Sequence, residues 1–199
     1  MSIEPTYKKI TVADYQAAAK ELGCEVAAIR AVASVESAGS GFILDPVANA
    51  YVPKILFERH KMHSFLKAKG YNTANYPSDI VSATRGGYKG GIAEHTRLQR
   101  ACEINRECAL KSCSWGAFQI MGFNYASLGY KTVQQFVNDM YGSEATQLNA
   151  FVRFIKADPR LVKALKALDW ATFARIYNGS AYKENKYDVK MDQAYKTFK

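Results

Sequence analysis

Ile29-Arg-Ala-Val-Ala-Ser-Val-Glu-Ser-Ala-Gly-Ser-Gly-Phe42 is the stretch on which the fold of this chain turns. Ile29, Val32 and Ala33 recur at helical spacing, and the next position on their face is Glu36. A carboxylate therefore stands where the pattern asks for a buried apolar side chain. Gly39 and Gly41 follow and are expected to end the helix, because glycine readily takes the left-handed conformation of a helix stop. Burial raises a glutamate's pKa, and the negative end of the helix dipole pushes the same way. A glutamic acid kept protonated near neutral pH is what general acid catalysis requires. Spacing alone leaves a second reading open, in which Glu36 points out of a fraying helix end.

Outward from this stretch the chain reads as mostly helical. Thr11 with Asp14 makes a variant capping box for a first helix that stops at Gly23, and the second helix spans about Glu25 to Glu36. Asp45-Pro46 and Asn49 mark turns, and Lys54-Ile-Leu-Phe-Glu-Arg59 has strand-type residues without helical period, so residues 42–59 are expected to form a small hairpin or three-stranded flap. The pleat would put Leu56 and Glu58 on one face and Ile55 and Phe57 on the other. Tyr71 to Gly91, rich in Asn, Pro, Ser and Gly, reads as a long surface excursion that could hold a domain boundary or equally flank a substrate. A helix or broken helix spans about Ile92 to Lys111, followed by an aromatic segment, Ser114 to Tyr125, interrupted by glycines. Thr132 with Gln135, Ser143, Asp158-Pro159 and Asp169 then signal successive helix starts, and a last helix runs from about Tyr187 to Phe198. Leu148, Phe151, Val152 and Ile155 form an apolar stripe expected in the core.

The chain has 199 residues, 48% hydrophobic and 23% charged, an ordinary globular composition long enough for one domain with a substantial core. No apolar run approaches the roughly 20 residues a membrane helix needs, and the N-terminus has no apolar signal core. The net charge of +9 favours an anionic partner: nucleic acid, an anionic membrane surface or an acidic polysaccharide. Cys24, Cys102, Cys108 and Cys113 lack metal-ligand spacing and have no histidine among them, which argues against a zinc site and for reduced, packing thiols. No internal repeat, low-complexity tract or linker is evident, and the reading calls for no metal or other cofactor.

Three separated segments join apolar helix to glycine or asparagine turns bearing polar or aromatic groups. They are Glu36 to Phe42, Trp115 to Met121 and Arg175 to Gly179. A glycan cleft needs such parts: an acid for the glycosidic oxygen, amide and backbone groups for N-acetyl groups, and aromatic faces for sugar rings.

With these segments in view, the chain resembles the phage and prophage endolysins of the N-acetylmuramidase type over nearly its whole length. The carriers are Val35-Glu-Ser-Ala-Gly-Ser-Gly-Phe42, Pro53-Lys-Ile-Leu-Phe-Glu-Arg-His60, Ser114-Trp-Gly-Ala-Phe-Gln-Ile-Met-Gly-Phe-Asn-Tyr125 and Asp169-Trp-Ala-Thr-Phe-Ala-Arg-Ile-Tyr-Asn-Gly179. Their order is also similar to that of goose-type lysozymes and lytic transglycosylases. The resemblance implies a mainly α, lysozyme-like α+β domain with a small β-hairpin after the catalytic helix. Members of the family often carry an N-terminal peptidoglycan-binding module; this chain departs from that pattern, and residues 1–199 are expected to form a single catalytic domain with no separate wall-binding module. Its basic surface would then substitute for such a module.

Carried over residue by residue, the resemblance makes Glu36 the catalytic acid. Glu58, on the proposed flap strand, is a candidate second carboxylate that orients water or stabilises an oxocarbenium-like transition state, against a plain salt bridge to a basic neighbour. Asp45 has a Glu-to-Asp spacing similar to that of phage-T4-type lysozymes, against a plain turn role before Pro46. Ser37, Phe118, Gln119 and Ile120 are candidates to line the sugar sites, and Tyr177 and Asn178 to close the cleft opposite the glutamate. His60 and His63 have no partner visible in the sequence.

The implied activity is hydrolysis of the β-1,4 bond between N-acetylmuramic acid and N-acetylglucosamine in peptidoglycan. It would be carried out by a monomer that waits in the host cytoplasm and acts in the periplasm. The enzyme rival is a lytic transglycosylase giving 1,6-anhydro products. A basic helical nucleic-acid binder is a rival of another class, opposed by the lack of a Lys/Arg-rich recognition helix. The segment from Tyr182 to Lys199 mixes basic and aromatic residues and could touch an anionic membrane surface.

Overall fold

A computed structural model describes residues 5–37 and 39–199, without the side chain of Ala181. Ala38 of the opening stretch and residues 1–4, part of the segment read as lacking a signal core, lie outside the described residues. Helix α1 (Val12–Leu22) begins with the expected capping box: the Asp14 amide donates to Thr11 Oγ1, and the Thr11 amide donates to the Asp14 carboxylate. It ends at Gly23 in the left-handed region. Helix α2 (Val26–Glu36) buries Ala28, Ile29, Val32 and Ala33 along one face.

The stop of α2 differs from the expectation. Its C-cap is Ser37 with extended backbone, and Gly39, at φ 78°, takes the left-handed turn. Gly41 serves close approach instead, because a Cβ there would collide with the Gln147 amide oxygen.

Strands β1 (Phe42–Asp45) and β2 (Ala50–Pro53) form an antiparallel hairpin with Phe42 opposite Pro53 and Asp45 opposite Ala50. Strand β3 (Ile55–Phe57) does not complete a flap with them. It pairs with β4 (Cys113–Trp115), which pairs with β5 (Ile120–Met121). Lys54 is the crossing point between the two sheets: its N–H donates to Gly41 C=O at 2.9 Å, and its own carbonyl accepts from Gly116 at 2.8 Å. The aromatic segment, given no element by its residue pattern, is thus the hairpin that recruits β3. The pleat of β3 is as expected, with Ile55 and Phe57 buried and Leu56 and Glu58 partly exposed.

Helix α3 (Arg59–Ala68) ends before Gly70, at φ 82°. The excursion from 71 to 91 is fastened more firmly than its composition suggests. Ile80 and Val81 are buried, and the Arg59 guanidinium donates to the carbonyls of Ser78, Thr84 and Arg85. Helix α4 (Ala93–Lys111) is broken at Asn105 (φ −162°, ψ 105°), whose side chain caps the second half by accepting from the Cys108 amide.

Helices α5 (Val133–Gly142), α6 (Glu144–Ala157), α7 (Pro159–Lys166) and α8 (Trp170–Asn178) start at the caps read from sequence, with Thr132, Ser143, Asp158 and Asp169 accepting first-turn amides, and α9 (Tyr187–Phe198) follows Lys186 without a side-chain cap. Leu148, Phe151, Val152 and Ile155 are buried at the centre of the core. Phe151 stacks on Phe118 with ring centroids 4.3 Å apart, and burial of a ring of this size contributes about 2 kcal/mol. Helix α9 lies along α2 and buries Met191 and Tyr195, so its apolar face belongs to the core. The four cysteines are free thiols, Cys108 and Cys113 buried and Cys24 and Cys102 partly so. No helix among the described residues is long and apolar enough to cross a membrane.

Candidate active site

Glu36 occupies the last turn of α2, on the face that Ile29 and Val32 bury. Its carboxylate accepts from Asn178 Nδ2 at 2.8 Å, from the last turn of α8. Burial pushes the Glu36 carboxyl up to about 7, against the Asn178 bond, which favours the charged form and so pulls it down. The group is therefore largely protonated just below neutral pH and gives up its proton close to it. Tyr177 sits beside it, stacked on Phe173 and edge-on to Phe151 and Phe154. Its phenol is raised well above the ordinary range, first by burial and then by the Glu36 charge. Sequence reading expected Tyr177 and Asn178 opposite the glutamate, and the structure brings both to Glu36.

The first turn of α6 joins this corner to the β4–β5 hairpin. The Gly41 amide donates to Glu144 Oε1 at 2.9 Å, and the buried Gln147 accepts from the Ala117 amide at 2.8 Å while donating to Met140 C=O at 2.9 Å. Two distant turns, one just after Glu36 and one just before Gln119, thus share a single buried amide as their spacer. Gln119 has a left-handed backbone, φ 48°, which for a residue with a Cβ costs about 1–3 kcal/mol. Its side chain offsets part of that cost by accepting from Ser114 Oγ (2.8 Å) and donating to Gly116 C=O (2.9 Å). Phe118 and Ile120 are buried and brace Gln119 from the core side, and Ser37 caps α2 next to the acid.

The two candidate partner carboxylates have local engagements. Asp45 Oδ1 accepts from the Val47 and Ala48 amides at 2.9 and 3.1 Å, the turn role that its place before Pro46 suggested. It also borders a cavity of about 450 Å³ shared with His95, Arg106, Trp115 and Tyr141. Glu58 accepts from the Tyr88 hydroxyl with both oxygens, at 2.9 and 2.8 Å, and His60 Nδ1 lies 3.0 Å from it without hydrogen-bond geometry. The shift of Glu36 is caused by its own burial and Asn178; neither Glu58 nor Asp45 contributes to it.

Sequence reasoning missed Tyr88, Glu94, Glu144 and Gln147. Glu94 is fully buried and accepts from the amides of Phe57 (3.0 Å), Lys89 (2.5 Å) and Gly90 (3.0 Å) and from the buried Arg97 (2.8 Å). Those amide bonds hold its carboxyl below the usual range in spite of its burial. Each of these side chains lies on a helix or loop in an ordinary polar position, and contacts as far as 134 residues away reveal it. Among the described residues no cluster of histidine, cysteine, aspartate or glutamate side chains could hold a metal ion.

With this geometry in place, comparison with known proteins is informative. The N-acetylmuramidase family profile matches residues 25–199. An endolysin of Enterobacteria phage PRD1 is 31% identical over 102 residues, which span 48% of this chain and 66% of that protein. The crystal structure of a Burkholderia AP3 phage endolysin is 49% identical and superposes with a TM-score of 0.89, covering 96% of this chain and 72% of the other. The family profile takes in Glu36, the β4–β5 hairpin and the end of α8 together, and this chain belongs to the N-acetylmuramidase family.

Proposed function

We propose that this chain is an endolysin that cleaves the β-1,4 bond between N-acetylmuramic acid and N-acetylglucosamine in peptidoglycan, with Glu36 as the proton donor. The observation that carries this reading is a partly buried glutamic acid at the C-terminal end of α2, its carboxyl raised to about 7 and held by Asn178. Such a group protonates the leaving glycosidic oxygen as the C–O bond breaks, and the sugar left behind develops oxocarbenium character. Gln119 and the backbone of the β4–β5 turn line the sugar sites, Ser37 adjoins the acid, and Tyr177 supplies an apolar wall that keeps Glu36 desolvated. Residues 1–199 act as one catalytic unit.

For the hydrolytic reaction we assign the assisting carboxylate to Glu58, held by Tyr88, rather than to Asp45, whose oxygen is committed to its own turn. A second reading has a specific observation behind it. Among the described residues no other carboxylate shifts Glu36, as suits a lytic transglycosylase working with one acid. Mass spectrometry of the released muropeptides distinguishes the two. Reducing N-acetylmuramic acid ends support hydrolysis, and 1,6-anhydro ends, one water lighter, support the alternative.

In the biological setting of an endolysin the enzyme meets its glycan in the periplasm after release from the host cytoplasm. Because α9 spends its apolar face on α2, any contact it makes with an anionic surface is by charge, through lysines such as Lys190 and Lys199, rather than by insertion.

A further inference from the structure

The outer edge of β3 carries an unfilled pair of backbone groups next to the candidate cleft. The Gly116 amide donates to Lys54 C=O and the Glu58 amide to Ser112 C=O, so the Lys54 carbonyl, the backbone groups of residue 56 and the Glu58 amide face β4. By the alternation of an antiparallel pair, residues 53, 55 and 57 turn theirs outward. At position 53 the carbonyl meets His95 Nε2 at 2.8 Å. At position 57 the amide donates to Glu94 and the carbonyl accepts from Arg97. Between them, the Ile55 N–H and C=O have no hydrogen-bond partner among the described residues.

That gap opens into a groove of about 240 Å³ lined by Ile43, Lys54, Ile55, Leu56, Gly90, Gly91 and Gln119. Its far wall is the glycine-rich segment 85–91, which is fixed rather than loose: Glu94 takes the amides of Lys89 and Gly90, and Tyr88 is bonded to Glu58. Gly90 and Gly91 present bare backbone, both in the left-handed region. Gln119 makes the groove continuous with the β4–β5 hairpin, which Gln147 ties to the Gly41 turn that follows Glu36. None of its lining residues is aromatic, so a sugar ring has no face on which to stack. A flat-sided slot with one outward donor and acceptor pair suits an extended peptide of small side chains, bound by strand addition.

We propose that this groove is a subsite for the peptide stem of the glycan, which it takes by pairing the stem's backbone with Ile55. The proposal rests on the muramidase reading and adds to it that the enzyme distinguishes peptide-bearing from bare glycan. The groove, rather than Glu36, carries that preference, and Glu94 is a positioning residue for its wall.

Two measurements test it. In the first, kcat/KM is compared on peptidoglycan glycan chains with intact stems and on the same chains stripped by an amidase, for the wild type and for Ile43→Trp, which fills the groove. The wild type should favour stem-bearing chains by ~10-fold or more, the scale set by lost contacts in a small pocket, and in Ile43→Trp that ratio should fall toward one. In the second, a synthetic stem tripeptide is titrated into the wild-type protein, and the amide resonances of Ile55 and Gly91 should shift saturably. This arm needs no variant and stands even if Ile43→Trp fails to fold. Equal kcat/KM on both chains, or unmoved Ile55 and Gly91 resonances, overturns the subsite. An Ile43→Trp variant that weakens both substrates alike also overturns it and makes the groove a sugar or N-acetyl site. Failure to cleave either glycan would instead overturn the muramidase reading.

Discussion

Asn178 Nδ2 donates to Glu36 Oε1 at 2.8 Å, joining the last turn of α8 to the last turn of α2 across 142 residues. The bond sets the acid's position and opposes the effect of its burial, so one amide holds the Glu36 carboxyl near 7 rather than higher.

Removing that donor has a signed consequence. In Asn178→Leu the carboxylate loses the partner that favours its charged form, so the Glu36 pKa rises. The alkaline limb of the kcat/KM profile should move to higher pH even as the rate falls. The pH–rate profile of the variant checks this, and an alkaline limb shifted to lower pH would contradict the role given to Asn178.

Burial of Glu36 also links stability to pH. Its pKa is about 4.5 in the unfolded chain and about 7 in the fold, so the protonated form is the one the fold favours. Its stabilising contribution is complete below about 4.5 and is lost as pH rises through about 7, a total of up to about 3 kcal/mol. Glu36→Gln, which cannot ionise, should leave Tm near the wild-type value at pH 4 and raise it at pH 8. Calorimetry at the two values tests the sign.

The spacer between the two site turns makes Gly41 sensitive for a reason unrelated to backbone freedom. Gly41→Ala puts a methyl group against the Gln147 amide, which is buried and already bonded to Ala117 and Met140. Overpacking of this kind costs about 1–3 kcal/mol. Urea denaturation should show the loss, and Gly39→Ala, which meets no neighbouring atom, should cost only the strain of its positive φ.

Glu94→Ala leaves Arg97 buried beside the open amides of Phe57, Lys89 and Gly90. Breaking a buried pair in this way costs about 3–5 kcal/mol, among the larger single losses this fold can show. Chemical denaturation gives the magnitude, and a loss below about 1 kcal/mol would contradict the clamp described for segment 85–91.

Much of the helical frame was legible in the sequence because its signals are local. Thr11, Ser143, Asp158 and Asp169 each cap within three residues, and the α6 stripe needs only a helical period to be recognised as core. The polar residue on the apolar face of α2 was equally visible, and its family resemblance pointed to the turn residues that meet it. The sheet was not legible in the same way. Strand β3 departs from the hairpin beside it to pair with residues 113–115, and a three-residue strand carries too little pattern to declare a partner so far along the chain. The same distance concealed Tyr88, Glu94 and Gln147, whose roles are set by what folding brings to them. Gly41 was read as a helix stop because conformational freedom is glycine's local signature; its actual constraint, the approach of Gln147, is a tertiary one.

The central claim is that Glu36 delivers the proton. The most direct test is lysis of purified peptidoglycan by Glu36→Gln beside the wild type at pH 6, with folding of both verified by Tm. The account predicts a loss of at least ~10²-fold, the scale of general acid catalysis, in a variant whose Tm is not lowered. A folded Glu36→Gln that retains lysis within ~10-fold of the wild type would contradict it, since no lost proton donor of this kind costs so little.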